Sequence, residues 1–385
     1  MARKVLFAAN NFWNSPFQVG THELAKQFLK NNWDVAFVSD PISPFHLLSK
    51  NKDLIKERLN IWRSGGIRHS NSLWTYVPFS ILSPANTLLL RNKFVFKKWY
   101  KFSIPNCINK INEEKFNNVD LLYIDSLYQS FWLKEIKYKK SIFRIADDNT
   151  GFSRYKKDIV DKIEGEIASV VDMVVYSAQT IKKKVEELNP NFSFYLPNGV
   201  DYNHFATNKG TLPVEFKSIP EPRIIYVGAI DNWFDFNLIN LACKSLPEYN
   251  FILIGNTTLA KDKLIDNPNL FLLGTRPYND VPNYLHHSNI GIIPFDRESH
   301  KDLVDSISPL KLLQYFACGI PSLSVRWKQL EMMNSPVELY DSSEEFIEKL
   351  RSLYQQNIEV NRLKSFAKQN DWSIRYNEII TNLGF

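Results

Sequence analysis

Short apolar runs alternate with amphipathic segments along the first half of the chain. An apolar run at 4–9 is followed by a polar loop, by a helical pattern at 21–32 and by a second apolar run at 34–39. This order predicts a βαβ unit, because buried parallel strands are continuously apolar and a crossover helix joins them. Further strand-like runs in this half lie at 120–125, 141–147 and 173–177. Together they predict a doubly wound parallel sheet.

The second half of the chain repeats this alternation. Its apolar runs are separated by helical patterns such as 237–246 and 281–288. The runs themselves lie at 223–230, 250–255, 269–274, 290–295 and 321–324. We therefore predict an α/β chain with two Rossmann-like, doubly wound domains that face each other across a cleft. Open parallel sheets bind ligands at the carboxyl ends of their strands, so we expect the ligands of this chain there.

Between the two series lies 206–222, a stretch with several prolines and few apolar runs. Such a composition is typical of a domain boundary. We predict an N-terminal domain over 1–205 and a C-terminal domain over 206–362. The residues 363–385 are predicted to form a C-terminal helix that packs back on the N-terminal domain.

The composition argues against several classes of protein. With 385 residues and 44% hydrophobic content, the chain is long enough for two domains with their own cores. Its three cysteines are scattered singly, which argues against a disulfide framework or a zinc site. The net charge of +6 is too small to indicate a nucleic-acid partner. Because no apolar stretch approaches the length of a membrane span, we expect a cytoplasmic protein.

One segment, 91–102, interleaves basic and aromatic side chains. This composition is typical of a helix that lies in an anionic lipid interface. The alternative is a partly buried helix with solvated lysines. The basic residues that would contact the membrane surface are Arg91, Lys93, Lys97, Lys98 and Lys101.

The segment 305–324 begins like a phosphate-binding helix. Ser308 suits the N-cap, and Pro309 suits the first helical position. A helix N-terminus presents free N–H groups and the positive end of the dipole, so Lys311 in the first turn is unfavourable unless an anion lies close. Gln314 follows three residues later, on the same helix face. The sequence predicts an anionic ligand at Lys311, with a solvated lysine as the alternative.

Several motifs of the chain resemble the GT-B glycosyltransferases. They are LPNGVDYNHF, IIYVGAI, FLLGTRPYNDVPNYLHHSNIGIIPF and SPLKLLQYFACGIPSLS, in this order. Where retaining transferases of family 4 usually carry two glutamates, the matching positions here hold Ser306 and Gln314. A lysine and a glutamine three apart at this helix start are similar to the glucuronosyltransferase of xanthan assembly. NNFWNSPFQVGTHELAKQFL, WTYVPFSILSP and FRIADD also resemble that family, so the resemblance spans most of the chain.

This resemblance implies an inverting transferase that works at a membrane surface on a lipid-linked acceptor. It implies an acceptor-binding N-terminal domain and a C-terminal domain that holds a nucleotide-sugar donor. A leaving diphosphate is stabilised either by a divalent metal or by fixed positive charge. The chain has no Asp-x-Asp motif, so we predict that no metal and no cofactor take part. Lys311 would then meet the diphosphate of a UDP-sugar.

Further donor contacts are predicted near Lys311. Gln314 is expected to bond a ribose hydroxyl, and the loop at 274–278 is expected to lie near the uracil base. Arg276 is equally well explained as a surface charge, and Trp233 as a structural aromatic. The complete set of predicted donor-binding residues is Lys311, Gln314, Ser308, Thr275, Arg276, Tyr278, Asp231 and Trp233.

Inversion needs one general base to take the proton of the acceptor hydroxyl. Asp147 follows an apolar run and is expected at the carboxyl end of that strand, where the xanthan-type family carries its base. Asp148 is the runner-up, because neighbours on an extended segment point to opposite sides. His22, at the start of the first helix, is a further candidate, although local capping or packing is the more common role of such a histidine.

From these residues we predict an inverting, metal-independent glycosyltransferase of cell-surface polysaccharide assembly. It would move a sugar such as glucuronic acid from a UDP-sugar to a lipid-linked or glycan acceptor, at the inner face of the cell membrane. One alternative is a retaining transferase of the family 4 type. Another is a catalytically silent nucleotide-sugar-binding module, because both family glutamates are absent.

Overall fold

The computed structural model describes residues 2–15, 18–48, 52–83, 93–146, 157–207 and 210–385. The chain divides into two compact units. The first comprises Met1–Ser15, Val19–Leu196 and Tyr376–Phe385. The second comprises Pro197–Arg375 together with Pro16–Gln18.

An eight-stranded sheet forms the first unit, with the order β3-β4-β2-β1-β5-β6-β7-β8. All neighbours are parallel except β3 and β4, which are antiparallel. Its strands are β1 (Lys4–Ala9), β2 (Asp34–Ser39), β3 (Ile67–Ser70), β4 (Leu73–Tyr76), β5 (Asn118–Ile124), β6 (Lys137–Ile145), β7 (Met173–Tyr176) and β8 (Ser193–Tyr195).

Amphipathic helices cover this sheet. Phe28 on the first of them packs edge-on against Phe7 of β1, with ring centroids 5.5 Å apart, and both side chains are fully buried. The helices of this unit are α1 (Gly20–Lys30), α2 (Lys52–Arg63), α3 (Lys93–Lys98), α4 (Cys107–Glu113), α5 (Trp132–Glu135), α6 (Lys157–Ala168) and α7 (Lys182–Glu187).

A six-stranded, all-parallel sheet forms the second unit, with the order β11-β10-β9-β12-β13-β14. Its strands are β9 (Arg223–Val227), β10 (Asn250–Ile254), β11 (Leu270–Gly274), β12 (Ile290–Ile293), β13 (Ser322–Val325) and β14 (Glu338–Tyr340). The strand order changes direction between β9 and β12, which is the place where open parallel sheets bind ligands.

After the seven α-helices of the first unit, ten more α-helices follow in the described part of the chain. They are α8 (Tyr202–Ala206), α9 (Phe236–Ser245), α10 (Thr258–Lys263), α11 (Val281–His286), α12 (Lys301–Asp305), α13 (Leu310–Cys318), α14 (Lys328–Met332), α15 (Ser343–Gln355), α16 (Val360–Lys368) and α17 (Trp372–Leu383). The last of these, α17, begins in the second unit and ends in the first. Its Tyr376 hydroxyl accepts a hydrogen bond from Trp33 Nε1 at 3.0 Å within the first unit.

Two parallel sheets with covering helices confirm the predicted α/β class. The boundary between the two units lies between Leu196 and Pro197. The sequence predicts it after residue 205, which lies inside α8. Asn198 explains why the boundary lies earlier in the chain, because its side chain donates a hydrogen bond to the carbonyl of Ser308 at 3.0 Å. This bond ties the segment before α8 to the second unit.

Candidate functional site

Glycines lie at the carboxyl ends of three neighbouring strands of the second sheet, β9, β10 and β11. Gly228 follows β9, Gly255 follows β10, and Gly274 is the last residue of β11. The Gly228 N–H donates to the carbonyl of Ile254 at 2.9 Å, and the Gly255 N–H donates to that of Gly274 at 3.1 Å. A Cβ on Gly255 would lie 2.1 Å from the carbonyl oxygen of Gly228. No side chain fits at Gly255, which is buried, whereas Gly228 is half-buried and lies at the carboxyl edge, where open parallel sheets bind ligands.

The side chain of Lys311 lies across Gly228. A Cβ on Gly228 would lie 2.0 Å from Lys311 Cε and 3.0 Å from its Nζ. The Nζ atom also lies over two aromatic rings, 5.5 Å from the centroid of Tyr226 and 5.3 Å from that of Phe295. Because the face of an aromatic ring attracts a cation, these contacts hold the ammonium group at the carboxyl edge of β9.

Helix α13, which carries Lys311, is fixed to the sheet through Tyr315. The Tyr315 hydroxyl accepts a hydrogen bond from the Val227 N–H at 3.1 Å. Its ring lies so close to β12 that a Cβ on Gly291 would come within 2.4 Å of it. Gln314 is half-buried and lies one turn after the lysine. A buried anchor therefore holds the N-terminal part of α13, which carries both predicted polar residues, against the sheet.

One prediction for the start of this helix is wrong. Helix α13 begins at Leu310, so Pro309 occupies the cap position and provides no side-chain hydrogen bond. Ser308 is buried and pairs with Asn198 instead. Its hydroxyl accepts from the Asn198 N–H at 3.2 Å, and its carbonyl accepts from the Asn198 side chain at 3.0 Å. These bonds give Ser308 a structural role before the helix.

Arg276, predicted near the base, lies in an ion pair within the second unit. Its Nη2 is 2.6 Å from Glu215 Oε1, and its Nε donates to the Tyr284 hydroxyl at 2.8 Å. Burial acts to raise the pKa of Glu215, but its backbone hydrogen bond and those from Arg276 and Tyr284 outweigh it and lower the pKa. The guanidinium is thus occupied by protein partners, which favours the structural alternative for this residue.

The other two predicted residues of this loop differ in exposure. Thr275 is exposed, whereas Tyr278 is half-buried. The tyrosine ring stacks on that of His204, with centroids 4.8 Å apart and an angle of 7° between the planes. His204 Nε2 also lies 3.4 Å from the Tyr278 carbonyl oxygen. The stack fixes Tyr278 in place, and Thr275 remains accessible at the end of β11.

The loop after β9 is tied to the loop after β12. The Asp296 N–H donates to the carbonyl of Trp233 at 2.8 Å, and the Phe234 N–H donates to that of Asp231 at 2.9 Å. Trp233 is half-buried and packs against the core of the second unit. Both predicted contact residues, Asp231 and Trp233, therefore belong to one ordered loop, and the packing of Trp233 fits its structural alternative.

Sequence reasoning missed a buried ion pair in the first unit. Arg144 Nη1 lies 3.1 Å from Asp125 Oδ1, and the two side chains are 4% and 5% exposed. The other carboxylate oxygen, Oδ2, accepts hydrogen bonds from Thr21 at 2.7 Å and from Asn10 at 3.1 Å. The cluster joins the carboxyl ends of β1, β5 and β6 to the first turn of α1. An arginine inside the apolar run at 141–147 is the signal that points to it.

The two predicted bases, Asp147 and Asp148, lie outside the described residues. The strand that precedes them, β6, ends at Ile145. Its penultimate residue is Arg144, which the buried ion pair holds in place. The strand that leads to the two predicted bases therefore has a fixed carboxyl end.

His22 is fully buried at the start of α1. Its Nδ1 accepts a hydrogen bond from the Val19 N–H at 3.3 Å, and its Nε2 lies 3.0 Å from the carbonyl oxygen of Phe12. Burial lowers the pKa of His22 to about 4, although the hydrogen bond to Phe12 acts in the opposite direction. With both ring nitrogens engaged by the backbone, the geometry favours the packing role over that of a base.

The basic and aromatic segment folds as α3 followed by a short 3-10 helix. Phe96, Trp99 and Tyr100 are buried in the core of the first unit, as the alternative of a partly buried helix predicts. They are buried because they fill the space beside β5 and the segment after it, where Trp99 Nε1 donates to the Tyr128 carbonyl at 2.7 Å. Phe94 is the exception, with 62% of its surface exposed.

The basic residues of the same segment have different surroundings. Lys97 forms an ion pair with Glu166, whereas Lys101 is exposed. Arg91 and the side chain of Lys93 lie outside the described residues. None of the helices in the described part of the chain has the length and apolar character that crossing a bilayer needs.

Two family models match this chain. The model of the N-terminal domain of glucuronosyltransferase GumK matches residues 7–177, and a glycosyl transferase-like model matches residues 237–379. Among curated proteins, the teichuronic acid biosynthesis glycosyltransferase TuaH of Bacillus subtilis (strain 168) is 23% identical to this chain over 248 residues. That match covers 60% of this chain and 62% of TuaH.

Solved structures resemble the whole chain in fold. Sucrose-phosphate synthase from Thermosynechococcus elongatus has a TM-score of 0.67 at 12% identity, covering 99% of this chain and 98% of that chain. HepE of Anabaena, in complex with UDP-glucose, has a TM-score of 0.67 at 11% identity, covering 99% of each chain. At such identities the likeness concerns the fold alone. Together with the two family models, it confirms the predicted resemblance to glycosyltransferases of the GT-B fold.

Proposed function

We propose that this protein transfers a sugar from a UDP-sugar to a lipid-linked or glycan acceptor in polysaccharide assembly. The observation that carries the proposal is the position of Lys311 across Gly228, at the strand ends of the second sheet. An ammonium group at the carboxyl edge of a parallel sheet, beside the first turn of α13, suits a diphosphate, which needs positive charge and N–H donors together. The UDP-glucose complex of HepE and the assignment of TuaH to teichuronic acid biosynthesis support the same class of reaction.

On the donor side, Lys311 neutralises the charge that develops on the leaving diphosphate. The first turn of α13 adds the positive end of its dipole. Gln314, one turn later, donates to or accepts from a ribose hydroxyl. Asp231 and Thr275 are the other proposed donor contacts, because both lie on loops that follow strands of the same sheet. This arrangement supplies by fixed charge what a divalent metal supplies elsewhere, so we propose a metal-independent reaction.

On the acceptor side, Asp147 takes the proton of the attacking hydroxyl while the diphosphate leaves from the opposite face of the sugar. A single base of this kind gives inversion. Asp148 is the alternative base. The match to the GumK N-terminal domain model, which covers this segment, supports a base here and makes glucuronic acid the sugar to test first.

We propose that the protein acts at the inner face of the cell membrane. A lipid-linked acceptor is presented at that surface, and Phe94 and Lys101 are exposed in the segment that the sequence associates with it. An apolar side chain beside basic groups favours contact with anionic lipid.

A transfer assay with UDP-glucuronic acid and UDP-glucose, read by NMR of the product, tests the proposal. We expect an anomeric configuration opposite to that of the donor, and activity that survives EDTA. Retention of configuration would favour the family 4-type alternative. Thermal stabilisation by a UDP-sugar without any release of UDP would favour the silent binding module.

A further inference from the structure

The two aromatic rings beside Lys311 come from different strands of the second sheet. Tyr226 lies in β9, and Phe295 follows β12. Both ring centroids are within the reach of a cation–π contact with Lys311 Nζ, at 5.5 and 5.3 Å. Because β9 and β12 are the neighbours at which the strand order changes direction, the rings lie where open parallel sheets bind ligands.

The ring of Tyr226 is fixed by contacts that do not involve the lysine. Tyr226 is fully buried, and its hydroxyl donates to the carbonyl of Ala229 at 2.6 Å. The ring packs edge-on against that of Phe234, with centroids 4.9 Å apart. Burial raises the pKa of Tyr226, so its hydroxyl stays neutral. The ammonium group of Lys311 therefore meets a neutral aromatic ring and not a phenolate.

The ring of Phe295 is fixed from two sides. Its backbone forms an antiparallel bridge with Phe234, the residue that packs against Tyr226. Its ring centroid lies 5.8 Å from that of Trp327, and both side chains are buried. Trp327 Nε1 donates to the carbonyl of Ile307 at 3.1 Å, shortly before α13 begins. The ring is thus connected both to its aromatic partner and to the segment that leads into the helix of the lysine.

Aromatic rings hold a cation in a different way from carboxylates. In the same unit, Arg276 lies 2.6 Å from Glu215, whose negative charge compensates its positive charge. A ring attracts a cation through its quadrupole and carries no net charge. The contacts with the two rings therefore hold Lys311 without cancelling the charge that an anionic ligand would meet.

Contacts of this kind also order a flexible side chain before the ligand binds. A lysine side chain loses considerable rotamer freedom when its ammonium group is fixed. Where the protein fixes that group itself, ligand binding need not do so, and affinity for the ligand increases. Gly228 makes this placement possible, because a Cβ there would lie 2.0 Å from Lys311 Cε.

We propose that Tyr226 and Phe295 are positioning residues, which hold the ammonium group of Lys311 where it meets the diphosphate of the donor. Through the lysine, the two rings would select a nucleoside diphosphate over a nucleoside monophosphate. This inference rests on the proposed function, because it concerns the lysine that is assigned to the diphosphate.

Calorimetric binding of UDP and UMP to the full chain tests this inference. The two nucleotides differ by one phosphate, so the ratio of their dissociation constants measures what the second phosphate contributes. We expect the wild type to bind UDP more tightly than UMP. Lys311→Met, which keeps an unbranched side chain without the charge, should lose most of that preference.

Tyr226→Leu and Phe295→Leu should each reduce the preference for UDP about tenfold, because each removes a cation–π contact. In the Lys311→Met background the same changes should leave the remaining preference unaltered, since the rings act through the lysine. Tyr226→Phe, which keeps the ring, should retain most of the preference. Phe346→Leu is the control for lost core packing, because it removes a fully buried ring that packs against Tyr340.

The thermal transition of each variant shows whether it is folded, and the two ring positions provide independent variants if one of them fails to fold. Folded ring variants with the wild-type preference for UDP overturn the inference. A reduction that persists in the Lys311→Met background overturns it as well, since the rings would then act through packing. A wild-type chain that binds no UDP overturns the proposed donor and this inference with it, whereas intact UDP binding with unaltered ring variants overturns the inference alone.

Discussion

The carboxyl edges of the two sheets are built from opposite kinds of residue. At the edge of the first sheet, charged and polar side chains bond one another, as Arg144 does with Asp125. At the edge of the second sheet, glycines lie at the ends of β9, β10 and β11, and the long side chain of Lys311 lies across one of them. One edge is filled by charged and polar side chains that bond one another, and the other has glycine backbone beside a cation.

This difference indicates that the two sheet edges have different roles. A buried network whose members satisfy one another fixes the ends of its strands, because moving any member leaves a buried charge unpaired. At the second edge, a glycine leaves room for the side chain of Lys311, whose positive charge favours an anionic ligand. We infer that the first edge positions groups for chemistry, whereas the second edge receives an anionic ligand.

The largest effect is expected from Asp147→Asn, the predicted base in the segment that follows β6 in sequence. Loss of a general base should lower the transfer rate by about 10²- to 10⁴-fold. UDP affinity should stay close to that of the wild type, because the proposed donor contacts belong to the second unit. Rates and UDP affinities of Asp147→Asn and Asp148→Asn are measured side by side. If Asp148→Asn is the inactive variant, the base moves by one residue, and two active variants remove this segment from the mechanism.

Arg144→Met tests whether the first edge depends on its buried pair. Removal of one partner leaves the Asp125 carboxylate buried without its charge partner, which should lower the free energy of unfolding by about 3–5 kcal/mol. Urea denaturation measures this change. The double variant with Arg144→Met and Asp125→Leu should recover part of the loss, since it leaves no unpaired charge. A single variant as stable as the wild type would contradict the positioning role of this pair.

At the second edge, Lys311→Ala should lower kcat/KM by about 10²- to 10³-fold with little change in thermal stability, because the lysine acts on the leaving group. Gly228→Ala should act in the same direction, since its Cβ would displace the Lys311 side chain. Gly165→Ala is the matched control, because a Cβ there meets no atom within 4 Å. Unchanged kinetics in the Lys311 variant would exclude its proposed role.

The sequence predicts one edge better than the other, for a physical reason. Lys311 and the strand-end glycines are visible because helix starts and apolar runs have local patterns. The partners of Ser308 and Arg276 are not visible, because Asn198 and Glu215 are distant in sequence and only the fold brings them together.

The same limit applies to the first edge. The polar contacts of Asp125 come from Asn10, Thr21 and Arg144, which lie on three different elements. The sequence marks Arg144 only as a charge within an apolar run. The fold class is predictable because each βαβ unit is a local pattern, whereas a side-chain cluster depends on how those units pack together.

The pH dependence of the free energy of unfolding tests whether His22 is a buried packing residue or a base. Its pKa in the folded chain is about 4, below the ordinary value near 6.5 of an unfolded chain. The unfolded chain therefore binds a proton first as the pH falls, and the free energy of unfolding should drop between pH 6.5 and 4, by about 3 kcal/mol from this group. Denaturation of wild type and His22→Gln across this range isolates the effect. A variant with the same pH dependence would contradict the buried, neutral state of His22.

The smallest effect concerns the basic residues of α3 and of the short 3-10 helix that follows it in the first unit. Replacing Lys98 and Lys101 by Gln should weaken sedimentation with acidic liposomes, because each basic residue near the surface contributes about 1 kcal/mol. The difference should shrink as salt is raised, since salt screens exposed charges. Lys183→Gln is the control, because this lysine is 89% exposed and lies on α7. If the double variant sediments like the wild type, membrane contact depends on the apolar side chain of Phe94, and Phe94→Ser should then reduce it at every salt concentration.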